Sequence, residues 1–306
     1  MPVKLPLGLP ASEELEKENI FVMGYERAKG QDIRPLRILV LNLMPTKEET
    51  EKQLIRLLSN TPLQIELTLL RTVTHQSTHT PYEHIAAFYN SYEEIKNENF
   101  DGMIVTGAPV ENLDYSEVDY WNELCEIFRF SEKHVFSALF ICWASQAALK
   151  YFYGIEKYPL KEKLSGIYRH EVLVPTHPIV RGFDETFYAP HSRYTEIRPE
   201  DVARRGELTL IAASERAGVY LVGDEKRRFF ITGHCEYDAD TLKNEYLRDV
   251  GKGLSPHLPE NYFPGDSIEN EPKNVWRAHA NLLYQNWLNY FVYQQTPYDI
   301  SKIEDK

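Results

Sequence analysis

Uniformly apolar runs, each short and each followed by a segment of helical periodicity, constrain the fold of this chain more than any other feature. The run "LRILVLNLMP" (36–45) does not alternate and closes on a proline, the pattern of a strand buried on both faces. "TKEETEKQLIRLLSN" (46–60) then changes period. Thr46 is placed to cap it, Glu48 and Glu49 suit its first turn, and Leu54, Leu57 and Leu58 share one face. The alternation continues with a strand at 63–71, a helix at 81–97, a strand at 100–109 and a helix at 116–134, on which Cys125 reads as a core residue. A strand at 135–144 precedes a helix that Gly154 stops. This pattern predicts an α/β fold with a doubly wound, mostly parallel sheet.

The second half has a different texture. Short β-like runs such as "GIYRHEVLV", "LTLIAAS" and "RRFFITGH" follow one another, and helices return at 239–252 and 274–293. The simplest organisation is one α/β domain over 35–297 with a β-rich second half, an N-terminal arm at 1–34 and a C-terminal tail at 298–306. The arm is expected to pack on the domain or on a second subunit, which leaves a homodimer open.

Formal charge is 34 − 46 = −12, which argues against non-specific nucleic-acid binding but leaves room for a local basic pocket. No apolar run reaches the length needed to span a bilayer, and "MPVKLPLGLPASEELEK" does not read as a signal peptide. The expectation is a soluble, cytoplasmic protein whose three cysteines, 125, 142 and 235, are reduced.

Two strand ends carry candidate chemistry. In "ALFICWASQAALKYFYG" an apolar strand reaches Cys142 and turns at once into a helix, with small Ala144 and Ser145 next. Ligands of open α/β sheets sit beyond the carboxyl ends of strands, and helix N-terminal amides there stabilise a thiolate or an oxyanion. Position alone does not separate such a thiol from a core cysteine. In "RRFFITGHCEYDADTL" a second buried strand ends at Gly233-His234, with Glu236 two residues on. A thiol nucleophile needs a base, and the base needs an acceptor on its other ring nitrogen. Cys235, between them, reads as packing. A metal site is not expected, because the cysteines lack paired spacing and His75, His79 and His84 read as loop histidines.

At these residues the sequence resembles the homoserine O-acyltransferases of methionine biosynthesis, which are built on the class I glutamine amidotransferase fold (flavodoxin-like). "RILVLNLMPTKEETE", "VTGAPVENLDY", "FICWASQAAL", "APHSRYTE" and "TGHCEYD" carry the likeness, which runs from about residue 1 to 300. The resemblance implies that Cys142 carries the acyl group as a thioester, His234 is the general base and Glu236 orients it. It also implies that Lys163, Ser192 and Arg248 contact the substrate. A guanidinium at 248 suits the carboxylate of homoserine. The amides of Gly107 and Trp143 would form an oxyanion hole.

Glu111 corresponds to the position at which the family selects its acyl group, glutamate accompanying acetyl specificity and glycine succinyl. A succinyl carboxylate about 5 Å from an ionised Glu111 would be repelled by roughly 3 kcal/mol at an effective dielectric of 20. The expectation is therefore acetyl transfer from acetyl-CoA to L-homoserine, with no cofactor beyond that co-substrate. O-succinyl transfer is the alternative. Glutamine hydrolysis and a non-catalytic binding module are more distant ones. Against the amidotransferase reading, Phe140 and Ala144 stand where the Gly-x-Cys-x-Gly turn of those enzymes has glycines.

Overall fold

The computed structural model describes residues 3–5, 8–17, 23–24, 34–75 and 80–303. Its strands are β1 (Val3–Leu5), β2 (Met23–Gly24), β3 (Leu36–Leu41), β4 (Ile65–Leu70), β5 (Tyr89–Asn90), β6 (Phe100–Val105), β7 (Val135–Ile141), β8 (Tyr158–Val172), β9 (Thr186–Glu196), β10 (Leu208–Ser214), β11 (Gly218–Asp224) and β12 (Arg228–Ile231). They form one sheet in the order β2-β1-β4-β3-β6-β7-β12-β11-β10-β8-β9, with β5 on β4. Every pairing from β2 to β12 is parallel, and every pairing beyond β12 is antiparallel. The expected doubly wound sheet with a β-rich second half is thus present, the second half continuing the sheet by hairpins.

Why the strands read as continuous apolar runs is visible in their two faces. Ile38, Val40, Leu139, Ile141, Phe229 and Ile231 enter one core, while Leu39, Leu41, Ala138, Phe140 and Phe230 enter the other. A third, smaller cluster around Tyr237, Tyr262, Phe263 and Trp276 lies over the second half. At the N-terminus, β1 pairs with β4 and the helix Pro10–Lys17 packs on the helix Lys47–Leu58, with Leu9 and Leu15 buried.

Several local expectations are corrected. Thr46 does not cap the helix Lys47–Leu58 with its hydroxyl; its carbonyl instead accepts from the Thr50 amide and hydroxyl. The helix expected at 81–97 is broken into Tyr82–Phe88 and Tyr92–Ile95. Between them β5 pairs with β4, Tyr89 donates its hydroxyl to buried Glu51, and a Ser91–Glu94 capping box restarts the helix. The helix expected at 116–134 runs from Trp121 to His134, behind a short 3-10 turn at Tyr115–Glu117. Cys125 on it is half-buried rather than a core residue. His84, read as a loop histidine, instead sits buried on the helix Tyr82–Phe88 and bonded to Glu51; His75 is bonded to Asp119, and His79 lies outside the described residues. No helix among the described residues is long and apolar enough to cross a membrane.

Candidate active site

Cys142 follows the last residue of β7 and caps the helix Trp143–Tyr153. Its backbone sits at φ 52° and ψ −117°, a conformation a non-glycine residue adopts at a cost of about 1–3 kcal/mol. Three bonds hold the bend. The Cys142 amide donates to Ile231 O of β12 at 2.6 Å, and the Ser145 amide and hydroxyl both donate back to Cys142 O, at 3.0 and 2.6 Å. Glycine is not needed beside this turn: Phe140 is fully buried, stacked on Phe230 with ring centres 5.4 Å apart, and Ala144 is buried too.

His234 comes from the turn after β12, which Gly233 makes feasible. A Cβ there would stand 2.8 Å from Pro190 O of β9, so that strand packs against bare backbone. The His234 amide donates to the same Pro190 carbonyl at 2.8 Å. The imidazole Nδ1 meets Glu236 Oε1 at 2.6 Å, and its ring lies flat on Tyr237 with centroids 4.1 Å apart. Cys142 lies on the other side of the ring's neighbour Gly107, close enough for its charge to act on the imidazole. All three groups are buried. Burial alone would push the His234 imidazole down, but the charges of Cys142 and Glu236 outweigh it and hold the ring well above its ordinary value. The structure thus brings Cys142, His234 and Glu236 together, the imidazole bonded to the carboxylate and the cysteine close by.

Gly107, just past β6, lies against this pair. A Cβ on it would be 3.2 Å from Cys142 Cβ and 3.4 Å from His234 Cε1. Among the described residues neither the Gly107 nor the Trp143 amide donates a hydrogen bond to the protein. Glu111, four residues further, is half-buried. Burial raises its carboxyl above the usual range, and Lys163 and His234 partly pull it back. The Glu111 carbonyl receives Lys157 Nζ at 2.6 Å, which fixes this stretch of loop.

The three residues assigned to the acceptor are brought together, and they share partners that sequence reasoning missed. Ser192 donates its hydroxyl to Glu245 Oε2, Lys163 Nζ lies 3.0 Å from Asp249 and 3.5 Å from Glu245, and Arg248 makes two bonds to Asp249 Oδ1 at 3.0 and 2.9 Å. Glu245 also accepts from Tyr237 OH at 2.8 Å, which links this cluster to the imidazole beneath the Tyr237 ring. The signal for Glu245 was its place one turn before Arg248 on the helix Thr241–Gly251. Arg193 was also missed. It is 2 % exposed, donates to Thr195 O at 2.7 Å and to Ala217 O, and is a buried cation for which Cys142 is the leading favourable charge. Cys235 packs in the core as expected, its thiol pushed up by burial.

Solved structures similar to this chain include a glutamine amidotransferase from Thermotoga maritima, with a TM-score of 0.54 and 15% identity over 85% of this chain and all of that one. Another is a glutamine amidotransferase from Methylobacillus flagellatus, with a TM-score of 0.55 and 13% identity over 84% of this chain and 95% of that one. At these identities the likeness defines the fold, that of the class I glutamine amidotransferases. A family model described as homoserine O-succinyltransferase matches residues 2–298, and the chain belongs to that family of acyltransferases. Relatives named homoserine O-acetyltransferase are 55% identical in Bacteroides thetaiotaomicron and 54% identical in Acetivibrio thermocellus. Each alignment covers 99% of this chain and all of the relative.

Proposed function

We propose that the protein transfers an acetyl group from acetyl-CoA to the γ-hydroxyl of L-homoserine through a thioester on Cys142. The reading is carried by one observation, the buried cluster Cys142–His234–Glu236 pressed against Gly107. The Cys142 thiolate attacks the thioester carbonyl, and the oxyanion rests on the Gly107 and Trp143 amides. Collapse expels coenzyme A as its thiolate, which takes the proton of the imidazolium. Homoserine then enters, neutral His234 accepts its hydroxyl proton as the oxygen attacks the acetyl-enzyme, and O-acetyl-L-homoserine leaves with the Cys142 thiolate restored. Thiol, imidazole and amides supply nucleophile, base and oxyanion stabilisation, so the route calls for no cofactor beyond the co-substrate.

Lys163, Ser192, Glu245 and Arg248 would hold the acceptor, Arg248 gripping its carboxylate and Glu245 offering a counter-charge to its ammonium. The site's burial supports the reading, since water reaching the acetyl-enzyme would hydrolyse it. Glu111 favours acetyl over succinyl, because a succinyl carboxylate would enter beside the Glu111 carboxylate, whose charge Lys163 and His234 help to keep against burial. The reduced thiols and the reaction suit the cytoplasm.

The test is intact mass after mixing with acetyl-CoA alone. One acetyl increment is expected, absent in Cys142→Ser and discharged by homoserine. Full turnover by Cys142→Ser would remove the assignment. The second reading, O-succinyl transfer through the same residues, is favoured by the name of the matching family model, and succinyl-CoA in the same assay decides it.

A further inference from the structure

A separate cavity of about 540 Å³ opens beyond the carboxyl ends of β3, β4 and β6, and the strand order reverses between β3 and β6. Pro109 and Val110 on its wall lie between Gly107 and Glu111 in sequence, so the cavity adjoins the thiol's side of the sheet. Its lining is two-toned. Leu43, Met44, Ile85 and Val110 make an apolar wall, and Lys47, Arg71 and His75 bring basic side chains; no described lining residue is acidic. In a chain of net charge −12, a cavity so composed selects for anions.

Arg71 is the distinctive member. Among the described residues its guanidinium makes no ion pair, and its Nε is buried without a hydrogen-bond partner. Lys47 stands near enough to feel it: burial pushes the Lys47 ammonium down to about 8, Glu51 offsets part of this and Arg71 adds to it. Lys47 Nζ is already taken by Asn42 O and Met44 O and Glu94 lies near enough to feel Arg71, so the unused donor is Arg71 Nε, which a bound anion would satisfy. The loop carrying the wall is anchored, since Glu123 accepts from the Val73 amide and from the Thr74 amide and hydroxyl, and Asp119 holds His75. At the mouth, Tyr82 presents a ring that is 76% exposed.

We propose that this cavity holds the coenzyme A portion of the acyl donor, with Arg71, backed by Lys47 and His75, binding its phosphates. The inference rests on the acyl-transfer reading above. The apolar wall takes the pantetheine arm and directs the thioester past Val110 toward Cys142. Tyr82 offers a face on which the adenine stacks, as bases do on exposed aromatic rings.

The experiment compares kcat/KM for acetyl-CoA with that for S-acetylpantetheine, which has no phosphate, in wild type, Arg71→Gln and Arg71→Lys. Loss of charge-assisted bonds to phosphate should lower the ratio of the two values on the order of 10- to 100-fold in Arg71→Gln, with partial recovery in Arg71→Lys. An unchanged ratio, or equal losses on both donors, overturns the assignment. Calorimetric titration with coenzyme A alone separates the two proposals. Weakened coenzyme A binding in Arg71→Gln supports this site even if no acetyl group is ever transferred. Orthophosphate that binds at Arg71 without competing with coenzyme A would make it a free-anion site and overturn the donor assignment.

Discussion

Gly107 and Cys142 are so close that a single methyl on the glycine would stand 3.2 Å from the cysteine Cβ, with the His234 ring 3.4 Å away on its other side. The glycine is there for space rather than for an unusual backbone angle. Gly107→Ala should therefore wedge the pair apart while leaving the β6 strand intact. The rate of enzyme acylation is expected to fall about 10- to 100-fold, since small misplacements of reacting groups carry costs of that order. Rapid-quench acylation and a melting curve read the two effects separately.

Glu236→Gln keeps the shape of the relay and removes its negative charge. The charges of Cys142 and Glu236 hold the His234 imidazole up against the effect of burial. In the variant the imidazole value should drop, and turnover should fall by about 100-fold or more, because the imidazolium formed on proton uptake loses its partner. An NMR titration of the His234 ring, set beside the pH–rate profile, checks both.

Glu111→Gly should change which acyl group is accepted more than how fast the chemistry runs. The ratio of kcat/KM for acetyl-CoA over succinyl-CoA is expected to fall on the order of 100-fold, matching roughly 3 kcal/mol of repulsion between carboxylates about 5 Å apart. An unaltered ratio would sink Glu111 as the selector.

Stability should peak near neutral pH because buried histidines act in opposite directions. His170 and His191 touch through their Nε2 atoms at 2.9 Å. Burial pushes His170 down to about 3 and His191 well below its ordinary value. Below an unfolded value near 6.5 the unfolded chain takes up protons that the folded chain refuses. Stability is thus lost as pH falls from about 6.5 toward 3, on the order of 4 kcal/mol for His170 alone. His234 is raised instead, so its contribution is complete below about 6.5 and fades as pH climbs through its higher folded value. Urea unfolding between pH 4 and pH 9 checks the shape, and in His170→Phe the acid limb should flatten.

The relay was legible because strand ends are. β7 and β12 are buried throughout and mostly apolar, ending one and three residues before Cys142 and His234, and a change of period marks a strand's end in sequence. Glu245 offered only its helical spacing from Arg248 and Arg193 offered no signal, because their meaning comes from what lies across from them. Glu245 is one acid among many until Ser192, Tyr237 and Lys163 converge on it. Arg193, in a strand of the antiparallel half, looks like a surface charge until the Thr195 and Ala217 carbonyls are seen to take its guanidinium. The break at Tyr89 was hidden for a related reason. Helical spacing continues through it, and only the pairing with Leu69 and the bond to Glu51 override the local preference.

The bond from the Cys142 amide to Ile231 O, together with the Ile141–Ile231 register, ties Cys142 and the turn that carries His234 to neighbouring central strands rather than to two independent loops. His234 is also held by β9, whose Pro190 O accepts from its amide, and β9 belongs to the same sheet. Heat inactivation of this enzyme should accordingly coincide with cooperative melting of the sheet, with no stage at which a folded but inert species accumulates.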